Sequence, residues 1–399
     1  MKNIVIITLD DVSFYNLGFT NFYKNKSATP NIDKLANESY VFWNAHCNVP
    51  FCQPSRMVLL TGLYPQHNGS IGFNEIKSNI PTLSSILKNK NYYTSILGKV
   101  DHHKPDSSFN WDDSFRCKYK IEEKEIKHYL SLKKSPYFLL INIENTHRPF
   151  LSSEKIFEDE MPNFLSETKP MRQQLGNFFE SLRRADEVVG IILNNLKSEN
   201  DIVILTSDHG FSFPFIKGNC YGFSTNVPMI IKDKDIVKKH DKENVISHVD
   251  FMPTLSKILK FDGDFDGISY LELLRGDNKV ESENYKYVYS QLNKMRDGPE
   301  FNIRSISDKS HTYCININKN IPFPGLFVDG WGWNETLSSM NKNDKDKFFK
   351  KQSEEFMKYD KMNYYECEDL PIKKRLKINL IKMMKKFNDP QFKNVISIL

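Results

Sequence analysis

The sequence has no apolar run that approaches the roughly 20 residues of a membrane-spanning helix. It also has no internal repeat and no nucleic-acid-binding motif. These absences exclude a membrane protein built on helical spans and a repeat array. What remains is an ordinary globular composition, with 39% hydrophobic and 13% aromatic residues. The chain of 399 residues is long enough for one large domain and a smaller one.

Cysteine is sparse and scattered along the chain. The six cysteines show neither the CxxC spacing of a zinc site nor the density of a disulfide scaffold. They are Cys47, Cys52, Cys117, Cys220, Cys314 and Cys367. The first three residues lead directly into an apolar strand, which leaves no room for a signal peptide. We therefore expect a cytoplasmic protein with reduced thiols.

Acidic residues are nearly missing from the C-terminal segment. Residues 371–399 contain eight Lys or Arg and one Asp, a charge of +7, so the rest of the chain contributes −2 to the net charge of +5. Six apolar residues recur at helical spacing in this segment: Ile372, Leu376, Leu380, Met383, Met384 and Phe387. A basic amphipathic helix can meet a membrane, a nucleic acid or an acidic polysaccharide. We favour the simpler interpretation, a helix that docks on its own domain and exposes its lysines.

The first predicted strand ends in two acids. Residues 4–9 form a continuous, largely β-branched run, as expected for a central parallel strand that is buried on both faces. Asp10 and Asp11 follow at its carboxyl end, where open α/β sheets bind their ligands. The pair could cap the next segment, but adjacent carboxylates also suit a hard divalent cation, which takes several oxygen ligands.

Further buried strands are predicted at residues 92–97, 135–143 and 201–207. The loops that follow them carry Lys99, His147 and the pair Asp208-His209, and a long helix is predicted at 171–198. This order predicts an α/β protein with a large, mixed, mostly parallel sheet flanked by helices.

The pattern changes at about residue 265 to short alternating strands. We expect a smaller antiparallel sheet there, with the basic terminal helix packed on it. The predicted domains are therefore residues 1–264, which hold the strand-end residues, and a C-terminal α+β subdomain at 265–399.

One stretch, from Cys52 to Arg56, has the unusual order Cys-Gln-Pro-Ser-Arg. Because a proline fixes its own φ and holds the preceding residue extended, Gln53-Pro54-Ser55 predicts a turn into a helix whose first amides face Cys52. Such a helix end favours an anion. From the residues alone, Cys52 could be a thiolate nucleophile, a metal ligand or an inert buried thiol.

The order Cys-x-Pro-Ser-Arg, followed shortly by Leu-Thr-Gly, resembles the signature of the type I sulfatases of the alkaline phosphatase superfamily. The resemblance implies an alkaline phosphatase-like fold. It also implies that a formylglycine-generating enzyme converts Cys52 to Cα-formylglycine. The hydrated aldehyde would supply the attacking hydroxyl, and Arg56 would orient it from behind.

The same resemblance implies one divalent metal ion, with Ca²⁺ favoured and Mg²⁺ or Mn²⁺ as alternatives. Its ligands would be Asp10, Asp11, Asp208 and His209, together with the modified side chain of Cys52. Many sulfatases carry Asn where this chain has His209, and a nitrogen ligand changes the range of metals that a site accepts.

The resemblance further assigns sulfate binding and assistance to the leaving group to four residues, which are Lys99, His102, His147 and Lys217. His103 is the alternative to His102, because the commoner spacing from the lysine to the histidine is two residues. An Arg that usually precedes the Val-Pro pair is replaced by Asn226 in this chain.

Three stretches resemble the heparan N-sulfatase (sulfamidase) branch in particular; they are residues 62–69, 213–214 and 315–324. The Glu-Leu-Tyr-Asp-Leu stretch that is usual in the terminal domain of that branch is missing. Loops at 322–334 would close over a sugar, and Trp331 and Trp333 could either stack on it or anchor the core.

The resemblance thus implies a sulfatase that hydrolyses a sulfate ester or sulfamate, on a small sulfated sugar. A phosphodiester or phosphonate monoester hydrolase of the same superfamily is an alternative, because it would share the metal and the nucleophile. A non-catalytic relative that binds sulfated glycans is the other alternative. The intact nucleophile and metal positions argue against it, since a binding protein needs no nucleophile.

Overall fold

The computed structural model describes most of the chain. The described residues are 1–23, 28–117, 121–162, 164–196, 198–210, 212–213, 216–277, 282–296, 299–318, 336, 338–347, 363–365 and 370–398.

An eight-stranded sheet forms the centre of the molecule. Its strands are β1 (Asn3–Leu9), β2 (Tyr40–His46), β3 (Tyr93–Leu97), β4 (Asp113–Phe115), β5 (Tyr137–Ile143), β6 (Asp201–Ser207), β7 (Met229–Lys232) and β8 (Lys239–Ser247). They lie in the order β4-β3-β5-β1-β6-β7-β2-β8, and only β7 runs antiparallel to its neighbours. The predicted mixed, mostly parallel sheet is confirmed.

Helices cover both faces of this sheet. They are α1 (Pro30–Asn37), α2 (Cys52–Thr61), α3 (Pro65–Asn68), α4 (Leu83–Asn89), α5 (Asp106–Phe109), α6 (Glu123–Ser131), α7 (Lys169–Asn195), α8 (Gly222–Thr225), α9 (Phe251–Leu259) and α10 (Leu271–Leu274). Two further helices, α11 (Leu370–Lys386) and α12 (Phe392–Ile398), come after the second sheet in the chain. Because successive side chains of a strand point to opposite faces, Val5 and Ile7 join one core while Ile4 and Ile6 join the other. This double burial explains why the first strand has no polar alternation.

A second, antiparallel sheet follows in the chain. Its strands are β9 (Val288–Lys294), β10 (Glu300–Ser307), β11 (Thr312–Asn316) and β12 (Asn363–Tyr365), in the order β12-β11-β10-β9. Helix α11 packs on β10 and β11 through Leu376, Leu380 and Met384, and most of its basic residues are exposed. The basic helix therefore docks on its own domain, as predicted. Among the described residues, no helix has the length and apolar character needed to cross a membrane.

The two sheets are joined beside Cys52. The side chain of Asn48 donates to the carbonyl of Tyr289 at 2.9 Å and accepts from the amide of Val249 at 2.9 Å. Its own carbonyl accepts from the amide of Gln291 at 2.8 Å. The hydroxyl of Ser290 donates to the carbonyl of Cys47 at 2.9 Å. Strand β9 thus holds the segment that leads into helix α2. The division into domains between residues 264 and 265 stays a prediction.

Candidate active site

Cys52 lies at the amino end of helix α2. The N-cap residue, Phe51, is extended, with φ −151° and ψ 139°, and Cys52 is the first helical residue. The helix thus begins at Cys52 itself rather than after the predicted turn. Pro54 fits in the first turn because amides there have no partner within the helix. All ten residues of α2 are buried and Cys52 is only 3% exposed, so its position is fixed by packing on every side.

Four of the predicted metal ligands meet at the carboxyl edge of the main sheet. One ligand atom from each of Asp11, Cys52, Asp208 and His209 lies within 4.8 Å of every other, and all four residues are buried. Strands β1 and β6 are parallel neighbours, so the residues that follow them arrive at the same edge. The Asp11 amide donates to Asp208 Oδ1 at 3.0 Å, from a left-handed backbone with φ 56°. Non-glycine residues seldom adopt this conformation. Strained backbone of this kind clusters at functional sites.

The imidazole of His209 is oriented for a ligand role. Its Nδ1 donates to the carbonyl of Gly210 at 2.8 Å, which directs Nε2 toward Cys52 Sγ at 3.2 Å and Asp11 Oδ1 at 3.4 Å. Burial lowers the pKa of His209, but Asp208 and Cys52 outweigh burial and raise it to about 9. Two carboxylates, a nitrogen and the side chain at position 52 are a donor set that fits a divalent cation.

The buried guanidinium of Arg56 connects Asp10, which follows β1, with Asp208, which follows β6. Its Nη2 donates to the carboxylate of Asp10 and to Asp208 Oδ2, the latter at 3.0 Å, while Nη1 donates to Asn142 Oδ1 at 2.6 Å. Burial lowers the pKa of Arg56, yet Asp10 and Asp208 raise it, so the guanidinium remains charged. Arg56 therefore positions Asp10 and Asp208, and its expected role in orienting the modified Cys52 side chain stays a prediction.

Two lysines complete the charge balance. Lys99 Nζ lies 2.5 Å from Asp10 Oδ2, and Lys217 Nζ lies 3.1 Å from both carboxylate oxygens of Asp11. Burial alone would raise the pKa of Asp10, but Lys99 and Arg56 hold it well below its usual value. Asp10 thus contacts cations and lies outside the group of four ligand atoms.

Gly98 explains how Lys99 reaches the site. The glycine has a φ of 94°, and a Cβ atom at this position would lie 2.0 Å from the carbonyl oxygen of Asn142. Only glycine combines this backbone conformation with such a close approach. The chain can therefore turn sharply after β3 and direct Lys99 toward Asp10.

The structure separates the two candidate histidines after Lys99. His103 Nδ1 lies 3.0 Å from the carbonyl of Lys99, and its ring packs edge-on against Phe109 in the core. His102 packs against Phe73, and neither His102 Nδ1 nor His103 Nε2 has a hydrogen-bond partner among the described residues. Burial, Lys99 and Arg56 lower the pKa of His102 well below its usual value. These contacts place the His103 ring against Phe109 and the His102 ring beside Phe73, and the choice of His102 as the sulfate-binding histidine stays a prediction.

His147 belongs to the same neighbourhood. Its Nδ1 donates to the carbonyl of Arg148 at 2.7 Å, which leaves Nε2 as the acceptor nitrogen. Burial lowers the pKa of His147, and Lys99 and Lys217 lower it further. The imidazole is therefore neutral and close to both lysines.

Sequence reasoning missed several residues of the site. Asn142, a polar residue in the apolar strand β5, binds Arg56, and the sequence alone does not show which residue it contacts. Glu144 follows β5 directly, and burial together with Asp10 raises its pKa to about 7. Its place at the end of β5 is the sequence signal that could have identified it. Phe73 contacts Phe51 and His102, and the guanidinium of Arg296 lies 5.7 Å from its ring centre.

Some predicted contacts lie outside the described residues. These are the loops at 322–334, with Trp331 and Trp333, and Pro214. Phe213 is described, and it packs in the core against Phe150 and Phe178.

The mostly parallel sheet, with its acids, lysines and helix-end cysteine at the carboxyl edge, places the chain among the alkaline phosphatase-like α/β proteins. The chain belongs to the sulfatase family, whose model matches residues 2–261. This match covers the main sheet and all of the predicted catalytic and metal-binding residues, from Asp10 to Lys217.

Relatives are found over much of the chain. An ulvan-active sulfatase from Formosa agariphila is 27% identical over 335 residues, which cover 79% of this chain and 66% of the relative. The human N-sulphoglucosamine sulphohydrolase is 28% identical over 306 residues, which cover 64% of this chain and 60% of the relative. The chain thus spans about 60–66% of the length of these two relatives.

A solved structure shares the fold over nearly the whole chain. It is described as a complex with its substrate, D-glucosamine-2-N,6-O-disulfate. Its TM-score is 0.69 at 17% identity, and 98% of each chain is covered.

Proposed function

We propose that this protein is a sulfatase that hydrolyses a sulfate ester or sulfamate on a small sulfated sugar. The observation that carries the proposal is the meeting of Cys52, at a buried helix end, with a divalent-metal donor set and three buried cations. We further propose that Cys52 is converted to Cα-formylglycine by a formylglycine-generating enzyme. A hydrated formylglycine would offer a hydroxyl nucleophile where the unmodified residue offers a thiol.

The charges of the site fit an anionic substrate. Three carboxylates face three cations in the buried site, and these six residues are Asp10, Asp11, Asp208, Arg56, Lys99 and Lys217. Their formal charges cancel, so a bound divalent cation would leave the site with an excess of two positive charges. An ionised hydroxyl and a sulfate group would neutralise this excess.

Asp11, Asp208 and His209 would hold the metal ion together with the modified residue 52, and Asp10 lies beside them. When bound, the ion would act as a Lewis acid and lower the pKa of the nucleophilic hydroxyl. We favour Ca²⁺, with Mg²⁺ or Mn²⁺ as alternatives, because carboxylate oxygens outnumber the nitrogen ligand.

The residues of the chain then have separate tasks. Lys99 and Lys217 bind the oxygens of the sulfate group that is transferred, because both ammonium groups lie within the site beside Asp10 and Asp11. Arg56 holds Asp10 and Asp208 in place. His102 and His147 are neutral, and an anionic substrate beside them raises their pKa values, which prepares either ring to protonate the departing oxygen or nitrogen.

The sugar in this proposal is supported by the names of similar proteins. One relative is named for ulvan and another for N-sulphoglucosamine, and the solved neighbour is described with a doubly sulfated glucosamine. The division into domains at 264 and 265 and the cytoplasmic location stay predictions.

The decisive experiment combines mass spectrometry with a substrate panel. Protein from the native host should carry formylglycine in the peptide that contains Cys52, whereas unmodified cysteine would exclude this nucleophile. The panel compares N-sulfoglucosamine with an O-sulfated sugar, choline sulfate, an aryl sulfate and a phosphonate monoester at equal concentrations. Preference for the sulfamate supports the N-sulfatase branch, and turnover of only the phosphonate would replace the proposed function with that of a phosphonate hydrolase.

A matched pair of cysteine variants tests the nucleophile. Cys52→Ala should abolish turnover, because the nearby hydroxyl of Ser55 in the first turn of α2 donates to the carbonyl of Asp208 and does not replace the lost nucleophile. Cys47→Ala should retain it, since this buried thiol lies near the carbonyl of Ser224 and serves packing. Substantial turnover by folded Cys52→Ala would contradict the proposal.

A further inference from the structure

A cavity of about 370 Å³ lies outside the group of metal ligands. It is lined by the turn that follows β1, by β2 and β8, and by the turn between β10 and β11. Tyr15, Phe22 and Trp43 contribute aromatic rings, and Lys242 and Lys309 contribute ammonium groups. None of the described residues that line it is acidic.

The rings are held in place while part of their surface stays open. Phe22 is 48% exposed, although its ring packs against Tyr15 with the centroids 5.2 Å apart. Asn226, which is buried, donates to the hydroxyl of Tyr15 at 3.3 Å and to the carbonyl of Trp43 at 3.2 Å. Its Oδ1 faces no donor among the described residues. A fixed, partly exposed aromatic surface next to amide groups suits a sugar ring, which has both C–H faces and hydroxyls.

The cations indicate the charge of the ligand. Lys242 is exposed, its Nζ lies 4.1 Å from the centre of the Trp43 ring, and it forms no ion pair within the described part of the chain. Lys309 pairs with Glu243 at 2.5 Å, but Glu243 does not line this cavity. Two lysines without a lining carboxylate favour an anionic group such as a sulfate.

We propose that this cavity is a second binding site, which holds one sulfated sugar unit of an oligosaccharide without touching the reacting group. The volume lies within the range of about 300–1,000 Å³ that is usual for small-molecule sites. Phe14 lines the cavity and lies three residues after Asp11, so the site is connected to the catalytic edge by a short, buried segment. The proposal rests on the proposed function, because it takes the ligand from the same chemical class.

Single-stranded nucleic acid also uses aromatic rings and lysines, but it follows an extended positive groove. Here the rings line a cavity of about 370 Å³, and two acidic residues, Glu243 and Asp308, line the neighbouring groove that shares Lys309. The structure therefore favours a sugar unit over a nucleic acid strand.

The binding test uses the full chain with Cys52→Ala, so that no turnover occurs. Its probes are a size-defined heparin tetrasaccharide, the same tetrasaccharide after desulfation, and a single-stranded oligodeoxynucleotide, each titrated by calorimetry. In this background, Phe22→Ala and Lys242→Ala should each weaken binding of the sulfated probe by about tenfold. Lys239→Ala is the matched control, because this exposed lysine lies on the same strand and does not line the cavity. All three side chains are exposed, and unchanged melting temperatures show that the variants fold.

A kinetic test separates the two proposals. In protein that retains Cys52, Phe22→Ala and Lys242→Ala should leave kcat/KM for N-sulfoglucosamine unchanged and raise KM for the tetrasaccharide about tenfold. The binding result stands even if no sulfated substrate is hydrolysed. Equal binding by the two variants and the control overturns the second site while leaving the sulfatase intact. Equal binding of the desulfated probe, or tighter binding of the oligonucleotide, also overturns it.

Discussion

Arg56→Met is the substitution that tests the electrostatics of the site most directly. The guanidinium is buried between Asp10 and Asp208 and also binds Asn142. Methionine occupies a similar volume without charge. In the variant without metal, the negative charge of Asp208 is stabilised by the backbone amides of Asp11 and His209 and by the more distant His209 ring. Asp10 retains Lys99.

Removing one partner of a buried ion pair costs about 3–5 kcal/mol, because the remaining charge stays buried. The entropy of unfolding is about 2.1 cal/mol/K per residue, so for 399 residues this loss lowers the melting temperature by about 4–6 °C. The deficit should shrink when Ca²⁺ is added, since a cation bound at Asp11, Asp208 and His209 takes over part of the role of Arg56.

Arg304→Met is the matched control. Arg304 is also fully buried, and it donates to Asp389 at 2.8 Å and to Asn293 at 2.7 Å. Its loss should lower the melting temperature by a similar amount. Asp389 lies outside the predicted metal site, so Ca²⁺ should raise the melting temperature of this variant no more than that of the wild type.

The assay is thermal unfolding of the wild type and both variants, in EDTA and in saturating Ca²⁺. The reasoning predicts that Ca²⁺ stabilises Arg56→Met more than the wild type. If Arg56→Met melts within about 1 °C of the wild type in EDTA, Arg56 is not a compensating charge. If Ca²⁺ rescues both variants equally, the metal does not bind at the acids that Arg56 contacts.

Three further predictions follow from the site and its surroundings. EDTA should inactivate the enzyme and Ca²⁺ or Mg²⁺ should restore it; restoration by Zn²⁺ or Mn²⁺ alone would show that His209 selects softer metals. Asn48→Ala should lower kcat with little change in KM and destabilise the fold by about 1–3 kcal/mol for each partner left unpaired at Val249 and Tyr289. Asn48→Asp, which keeps only the acceptor, should fall between Asn48→Ala and the wild type, and unaltered kcat in both variants would contradict the role of this contact. Burial lowers the pKa of His46 to about 4, below its unfolded value of about 6.5. The stability that neutral His46 contributes to the folded state is therefore complete above pH 6.5 and is lost as the pH falls toward 4. Between pH 7.5 and 5, urea titrations should show the wild type losing about 2 kcal/mol more stability than His46→Asn, and equal losses would show that folding does not lower the pKa of His46.

The central strands and their polar ends could be predicted from the sequence because each signal is local. Strand β1 is buried on both faces, so its apolar run is unbroken, and the acids after it mark the edge where ligands bind. The same logic identified β3, β5 and β6, and parallel pairing then brings their ends together. Four strands of the main sheet were not predicted. They are β2, β4, β7 and β8; of these, β4 and β7 have three and four residues, and β8 begins with mostly exposed polar residues.

The contacts around Cys52 could not be predicted, because they depend on residues that are distant in the sequence. Asn142 looks like an ordinary polar residue in an apolar strand until Arg56 is placed against it. The choice between His102 and His103 depends on where a short helical turn directs each ring, and neighbouring residues in a loop give no periodic signal. The edge strand β12 pairs with β11 across a long separation in the chain, which local patterns do not encode.

The attachment of β9 to the segment before Cys52 has a consequence for the order of events during synthesis. The hydroxyl that holds the carbonyl of Cys47 belongs to Ser290, a residue made 243 positions later. Until the ribosome has released that strand, the loop from Cys47 to Phe51 lacks the contacts that β9 supplies. In the folded chain Cys52 is 3% exposed and therefore closed to a large enzyme. Under the proposed conversion of Cys52 to formylglycine, the late arrival of β9 would extend the time available for modification, and slowing translation after residue 264 should then increase the modified fraction.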